Sequence, residues 1–314
     1  MYTIIFLMNN KKKKSFTLIE LLVVIVIIGI LAGVIMISTS SSIDKANIAK
    51  LKLFEESVAN DLAANMVSRW KLDDVSGTSA SDAWSSNTGT LSGFADTTAG
   101  YGDSNTSGWM SESNCISGTC LRFDGTNDYI GILSQPSLHP TTEYSITLWI
   151  KTGTLKEWSA LIGTYTFDSN DYLIYQGGAG GTPIGVSFVD GIRKDVSSGL
   201  ALVTGKWYYI AFTVKQKNSM RIYVDGVLKG TTSISSTGNI TTNNDPIRIA
   251  GQGFGSPLWF DGSMDDIRIY NAAISSSQIK QNYIAGLDSL LSKGSISKEN
   301  YNQRINALAY NKYE

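Results

Sequence analysis

Residues 11–33 read KKKKSFTLIELLVVIVIIGILAG, and this stretch constrains the chain more than any other. Four lysines stop abruptly, and from Phe16 to Ile37 the chain is almost wholly apolar. A helix over that run would be roughly 33 Å long, against about 30 Å for a bilayer hydrocarbon core. The run is longer than the core of a secretory signal, and no A-x-A cleavage site follows it. Glu20 is the anomaly. A carboxylate inside a lipid-spanning helix is costly, and it marks a functional position unless a cation meets it at similar depth. A cut between Ser15 and Phe16 would supply that cation as a new α-ammonium one helical turn away.

Lysines before an apolar run hold that end in the cytoplasm, which predicts a single-pass membrane protein with everything after about residue 40 outside. The formal net charge is −1, and removing Lys11–Lys14, with no acid lost, takes it to −5. That balance excludes a general nucleic-acid surface. Charged residues make up only 17% of the chain while Gly, Ser and Thr abound, a composition that suits a secreted β-rich domain. Met1–Leu7 is apolar and sits oddly before the lysines, so translation from Met8 is an alternative start.

KKKKSFTLIELLVVIVIIGILA resembles the N-terminal segment of type IV pilins and pseudopilins over about 22 residues. The resemblance implies cleavage by a prepilin peptidase before Phe16, methylation of the new amine, and Glu20 as fifth residue of the mature chain. Ser15 stands where that family usually has Gly; it is small, which implies retained but slower cleavage. Assembly with other pilin subunits through the N-terminal helix then follows. A plain membrane anchor is the competing reading, and it leaves Glu20 unexplained.

Ser38–Ser42 weakens helix by bonding its own backbone. Beyond it, Leu51, Phe54, Val58 and Leu62 recur at spacings of 3, 4 and 4, the stripe of an amphipathic helix. That stripe would pack on the chain's own head or on neighbouring subunits. From Val67 the period changes to 2. More than ten short segments rich in β-branched and aromatic residues follow, bounded by Gly, Asn, Asp or Ser. Asp190-Gly191 and Asp225-Gly226 are two-residue hairpin signals. Without intervening helices, so many strands predict a two-sheet antiparallel sandwich. Alternation puts Ile146, Leu148, Ile150, Ile210, Phe212, Val214, Ile222, Val224, Ile267 and Ile269 on a core face. Trp149, Tyr209, Arg221, Tyr223, Arg268 and Tyr270 fall on the other. They read as an aromatic platform for sugar rings, or as a face covered by loops or helices.

The segments WKLDDVSGTSASD, CLRFDGTNDYI, YSITLWIKT, GKWYYIAFTV, MRIYVDGVLKG and GSMDDIRIYNAAISSSQIKQNY resemble, in order, the laminin-G-like (concanavalin-A-like) jelly-roll family. The resemblance covers about residues 67–283. It implies a glycan or surface-protein ligand and, in many members, calcium. By resemblance Asp82 and Asn87 would join Asp265 or Asp266 at a structural Ca2+; an Asp held by hydrogen bonds near the sheet edge is the alternative. Asp265 alternates onto the face of Ile267 and Ile269, where a carboxylate needs donors or a cation.

Ser276–Leu291 reads as helix, Gly294 as its stop, and Ser297 as the cap of a second helix carrying Tyr301, Ile305 and Leu308. This stretch weakly resembles the short helical-hairpin domain at many bacterial C-termini. The expected organisation is a leader over 1–15, a membrane and amphipathic helix over 16–66, a jelly roll over 67–274 and a helical tail over 275–314. Cys115 and Cys120, outside the cytoplasm, read as a local disulfide, with free thiols and a metal site as alternatives. Glycoside hydrolysis needs two carboxylates across a cleft, and no strand-borne pair fits. A Ser-His-Asp site could use only His139, with no nucleophile motif near it. The chain therefore reads as a binding subunit and not an enzyme. It is expected to be a pilin-like subunit displaying a lectin-like head on a surface filament. The alternatives are a pseudopilin of a secretion or DNA-uptake machine and a membrane-tethered glycan-binding protein that never assembles.

Overall fold

The computed structural model describes residues 18–19, 21–28, 63–104, 106–164, 171–178, 180–235, 237–251 and 258–310. Ser15, Phe16, Glu20 and the amphipathic stripe from Leu51 to Leu62 lie outside the described residues. The chain divides into two compact units, Met1–Lys52 and Leu53–Glu314. In the first, residues 18–19 and 21–28 are helical (α1), and all ten described side chains are exposed. A helix apolar on every face and exposed all round is matched to lipid or to other helices, not to water. Among the described residues no helix is long and apolar enough to cross a membrane.

The second unit is mainly β, as expected, with its strands in two antiparallel sheets. Sheet A runs β14 (Val227–Ser233), β13 (Ser219–Val224), β12 (Trp207–Lys215), β7 (Glu143–Thr152), β16 (Asp261–Tyr270), β5 (Cys120–Asp124) and β4 (Gly108–Met110), with β1 (Met66–Trp70) also on β16. Sheet B runs β11 (Ile192–Ser197), β10 (Thr182–Val189), β9 (Tyr172–Gly177), β8 (Ser159–Thr164), β15 (Ile247–Ile249), β6 (Tyr129–Ile132), β3 (Gly89–Ser92) and β2 (Ser79–Ala80). Every residue assigned to the core face by alternation is buried in the main core cluster. Both DG hairpins form, with Asp190, Gly191, Asp225 and Gly226 all at positive φ, the backbone that a type I′ turn demands.

Two helices close the unit. α2 (Ser276–Ser292) starts at a capping box, in which the Ser275 side chain accepts from Gln278 N and the Gln278 side chain accepts from Ser275 N. Gly294, at φ +72°, ends it, and α3 (Lys298–Tyr310) begins where Ser297 Oγ accepts from Asn300 N at 3.1 Å.

Candidate functional site

Of the two readings for the outer aromatic face of sheet A, a sugar platform or a face covered by helices, the structure has the covered face. Trp149, Tyr209, Tyr223 and Tyr270 are buried in a second cluster with Ile279, Tyr283, Leu287 and Leu290 of α2 and Leu308 of α3. The four α2 residues follow at spacings of 4, 4 and 3, so one helix face lies on the sheet. Trp149 stacks on Tyr283 at 5.6 Å and tilts against Tyr209 at 5.2 Å. Gly286 makes this approach possible, because a Cβ there would stand 2.3 Å from Trp149 Cζ2. Arg268 is also occupied: it pairs with Asp266 and donates to Asn282 Oδ1 at 3.0 Å. Of the six residues only Arg221 is exposed.

Asp265 does not share a face with Ile267. The β16–β7 register shifts between Asp265 and Arg268, and Asp266 adopts φ +45°. This bulge inserts one residue and reverses parity. It lies where β16 stops pairing with β5 and starts pairing with β1. Asp265 therefore turns to the side of Trp149, opposite which it pairs. Its Oδ2 accepts from Ile116 N at 2.7 Å and Ser117 N at 3.1 Å, and its Oδ1 has no partner among the described residues. Burial, and then the Asp266 charge, push its carboxyl well above the carboxylate range. The loop that supplies those amides is closed by the Cys115–Cys120 disulfide, with Cα atoms 5.6 Å apart.

Asp266 has the opposite electrostatics. Burial alone would raise it, but the Arg268 and Arg69 guanidiniums overcome that and hold it below the ordinary carboxylate range. Asp82 accepts from the amides of Arg69, Trp84, Ser85 and Asn87 and from Ser85 Oγ. Asn87 donates to Ser68 Oγ and accepts Trp70 Nε1 on its main-chain oxygen. Asp82 and Asn87 thus meet each other, and Arg69 links Asp82 to Asp266, while Asp265 turns to the Ile116 and Ser117 amides. Among the described residues, amide, hydroxyl and guanidinium donors meet all three carboxylates. Among the described residues the one cluster with metal-ligand spacing is Cys115, Cys120 and Asp265, and its cysteines are joined.

Sheet B carries the face that sequence reasoning missed. Ile130, Ile132, Ile247 and Ile249 point into the core, so Tyr129, Gly131 and Arg248 point outward. Tyr129 stacks on Trp259 at 5.8 Å, and the Arg248 guanidinium lies 4.1 Å from the Tyr129 ring centroid. Thr90, Ser92, Leu133 and Pro246 complete an open cleft of about 440 Å³ around Tyr129 and Arg248. Gly131 keeps its floor low, since a Cβ there would meet only the Tyr129 ring closer than 4.0 Å. Further along the same face, Trp158, 47% exposed, stacks on Tyr175 at 5.3 Å, and Arg193 donates to Tyr175 Oη at 3.3 Å. Aromatic planes beside guanidinium and hydroxyl groups offer an apolar surface for C–H faces and donors for hydroxyls. The signal was present as an aromatic residue just before a core isoleucine in DYIGI and a basic residue between two core isoleucines in PIRIA.

Sequence reasoning also found no partner for His139, and the structure supplies two. Ser134 Oγ lies 3.0 Å from Nε2, and Asp171 Oδ2 lies 2.6 Å from Nδ1. Both His139 and Asp171 are buried, and burial pushes the Asp171 carboxyl up to about 6. Tyr172 Oη donates to Leu138 O at 3.2 Å beside them. The array ties the turn after β6 to the start of β9, and we read it as a packing element.

The profile of the concanavalin A-like lectin/glucanases superfamily matches residues 124–280, and that of the prokaryotic N-terminal methylation motif matches residues 10–36. No curated protein sequence matches the chain. Among solved structures it is similar to domain 4 of AbnA, a GH43 extracellular arabinanase from Geobacillus stearothermophilus, in complex with arabinotriose. Identity there is 20%, the TM-score 0.52, and the match covers 69% of this chain and 97% of that one. The binding domain of Paraclostridial Mosquitocidal Protein 1 follows at 16% identity and TM-score 0.52, covering 72% of this chain and 53% of that one. The botulinum neurotoxin serotype D binding domain gives 13% identity and TM-score 0.53, covering 73% of this chain and 53% of that one. The chain thus spans about half the length of the two toxin domains, and these likenesses concern the fold.

Proposed function

The chain belongs to the concanavalin A-like lectin/glucanases superfamily and carries a prokaryotic N-terminal methylation motif, and from that premise we propose a pilin-like subunit displaying a glycan-binding head. In this reading prepilin peptidase cuts before Phe16, and the apolar helix passes from membrane to filament core. Glu20 meets the Phe16 amine of its own or a neighbouring subunit. Transfer from lipid to filament keeps the apolar surface out of water throughout, so it needs no large hydrophobic penalty.

The observation that carries the head's role is the Tyr129–Trp259–Arg248 shelf on sheet B, set against the burial of Trp149, Tyr209, Tyr223 and Tyr270 of sheet A under α2 and α3. A sugar ring would lie its C–H face on Trp259 or Tyr129. Its hydroxyls would bond Arg248, Thr90 and Ser92. Trp158 on Tyr175 would meet a further residue of the same chain, which favours an extended oligosaccharide. Asp124 and Asp128 are bound into their own turn, where Asp124 N donates to Asp128 Oδ2 at 2.7 Å. Binding without turnover is therefore the expected behaviour.

The test is a titration of the purified protein with neutral oligosaccharides. Arabino-oligosaccharides belong among them because the AbnA domain was solved with arabinotriose. Trp259→Ala should weaken binding by about 1–3 kcal/mol, the worth of one aromatic stack plus its buried area. Equal binding by the variant, or release of free sugar by the wild type, would refute the reading.

A further inference from the structure

A cavity of about 340 Å³ lies on the other sheet, between the β13–β14 hairpin and α3. Its lining includes Lys206, Lys229, Arg304, Asp225, Tyr208 and Asn300. Three cations thus face one carboxylate. That carboxylate is a poor counter-ion: Asp225 Oδ1 already accepts Tyr209 N at 2.9 Å, and its Oδ2 stands 3.9 Å from Lys206 Nζ. Burial also raises its pKa, which disfavours the charge the cations need. The Lys206 ammonium is pushed down by burial, Asp225 opposes this, and the Arg304 charge adds to it. The lining also carries polar atoms without hydrogen-bond partners. Arg304 donates through Nη1 to Trp207 O at 3.3 Å, while among the described residues its Nε and Asn300 Oδ1 have no partner. Unmade hydrogen bonds and unrelieved like charge both cost stability until something anionic enters.

We propose that this cavity binds the carboxylate of an acidic sugar residue. The carboxylate would sit among Lys206, Lys229 and Arg304. The aromatic and amide groups distinguish a sugar acid from a bare anion. Leu200 and the edge of the cavity formed by Tyr208, whose ring Lys206 Nζ covers at 4.4 Å, offer apolar surface for ring C–H groups. The Asn300 side chain offers an acceptor for a hydroxyl donor. This site lies on sheet A and does not depend on the Trp259 shelf.

The test titrates full-length protein in detergent micelles, by calorimetry, with methyl glucuronide, methyl glucoside and inorganic phosphate. The glucuronide should bind at least about tenfold more tightly than the glucoside, as a charge-assisted contact worth about 1.5 kcal/mol requires, and rising salt should weaken it. Lys229→Gln, an exposed change that leaves the fold's hydrogen bonds intact, should weaken glucuronide about threefold or more, and Arg304→Gln should weaken it further. Trp259→Ala should leave the preference for glucuronide over glucoside unchanged, which separates this site from the first. Equal binding of glucuronide and glucoside would overturn the proposal. So would full binding by Lys229→Gln, or phosphate binding as tightly as glucuronide, which would mark a general anion pocket.

Discussion

Replacing Tyr283 with Ala tests how the C-terminal helices are held to sheet A. The Tyr283 ring is 1% exposed and stacks on both Trp149, at 5.6 Å, and Tyr209, at 6.2 Å. Deleting a buried aromatic ring costs about 3–5 kcal/mol, through lost transfer energy and the cavity left behind. Each lost aromatic pair accounts for about 0.5–1.5 kcal/mol of such a total. That is a large part of the roughly 5–15 kcal/mol that stabilises a domain. The packing also localises the damage, because Tyr283 belongs to the cluster that joins α2 to the sheet and not to the core between the sheets. The helices should therefore loosen before the sandwich does. Denaturant unfolding followed by tryptophan fluorescence, with limited proteolysis between Ser292 and Lys298, reads both effects. A loss below about 0.5 kcal/mol, with α2 and α3 as resistant to protease as in the wild type, would refute the reasoning.

Three further outcomes follow from the same structure. Reducing Cys115–Cys120 should cost about 2 kcal/mol by the chain-entropy estimate for so short a loop, and it should loosen the amides that hold Asp265; an unchanged denaturation midpoint would contradict this. Stability should respond to pH with two signs. Asp266 is depressed in the fold, so its contribution is present above the ordinary carboxylate pKa and fades as pH falls below it. Asp128 is raised to about 7, mainly by burial, so its contribution is complete at low pH and is lost as pH rises toward 7. Asp128→Asn should flatten the melting temperature between pH 4 and 7, and an unaltered profile would count against that assignment. Finally, calcium or a chelator should leave the melting temperature of the protein unchanged, since amides, hydroxyls and guanidiniums meet Asp82, Asn87, Asp265 and Asp266; a shift of several degrees would instead support a bound cation among them.

Much of the sandwich was legible because its strands alternate cleanly. ITLWI and YIAFTV each give one face to the core, and hydrophobic burial enforces that choice over the whole strand. The DG turns were legible because only a few residues tolerate the left-handed backbone they use. The C-terminal helices were legible from Gly294 and from the capping residue Ser297, whereas the Ser275 cap emerged only from the structure. Three things were not. The bulge at Asp265–Asp266 has no local residue signature, since Asp266 takes a positive φ without being glycine, and one inserted residue inverted the inferred direction of Asp265. The covering of Trp149 depends on a helix over a hundred residues later in the chain, and alternation alone cannot distinguish a face covered by α2 from one open to solvent. The Tyr129–Trp259 shelf joins residues far apart in sequence, so its partners become visible only in three dimensions.

The central claim is that this chain is processed as a pilin-like subunit before its head can be displayed. Intact mass and N-terminal peptide mass spectrometry of the membrane-extracted protein tests it directly. The account predicts a mature chain that begins at Phe16 and carries a methyl group on its amine, with no peptide from Lys11–Lys14 attached. A protein that keeps Lys11–Lys14 joined to Phe16 would contradict it, and would leave a permanently tethered binding domain in which Glu20 has no cationic partner of its own making.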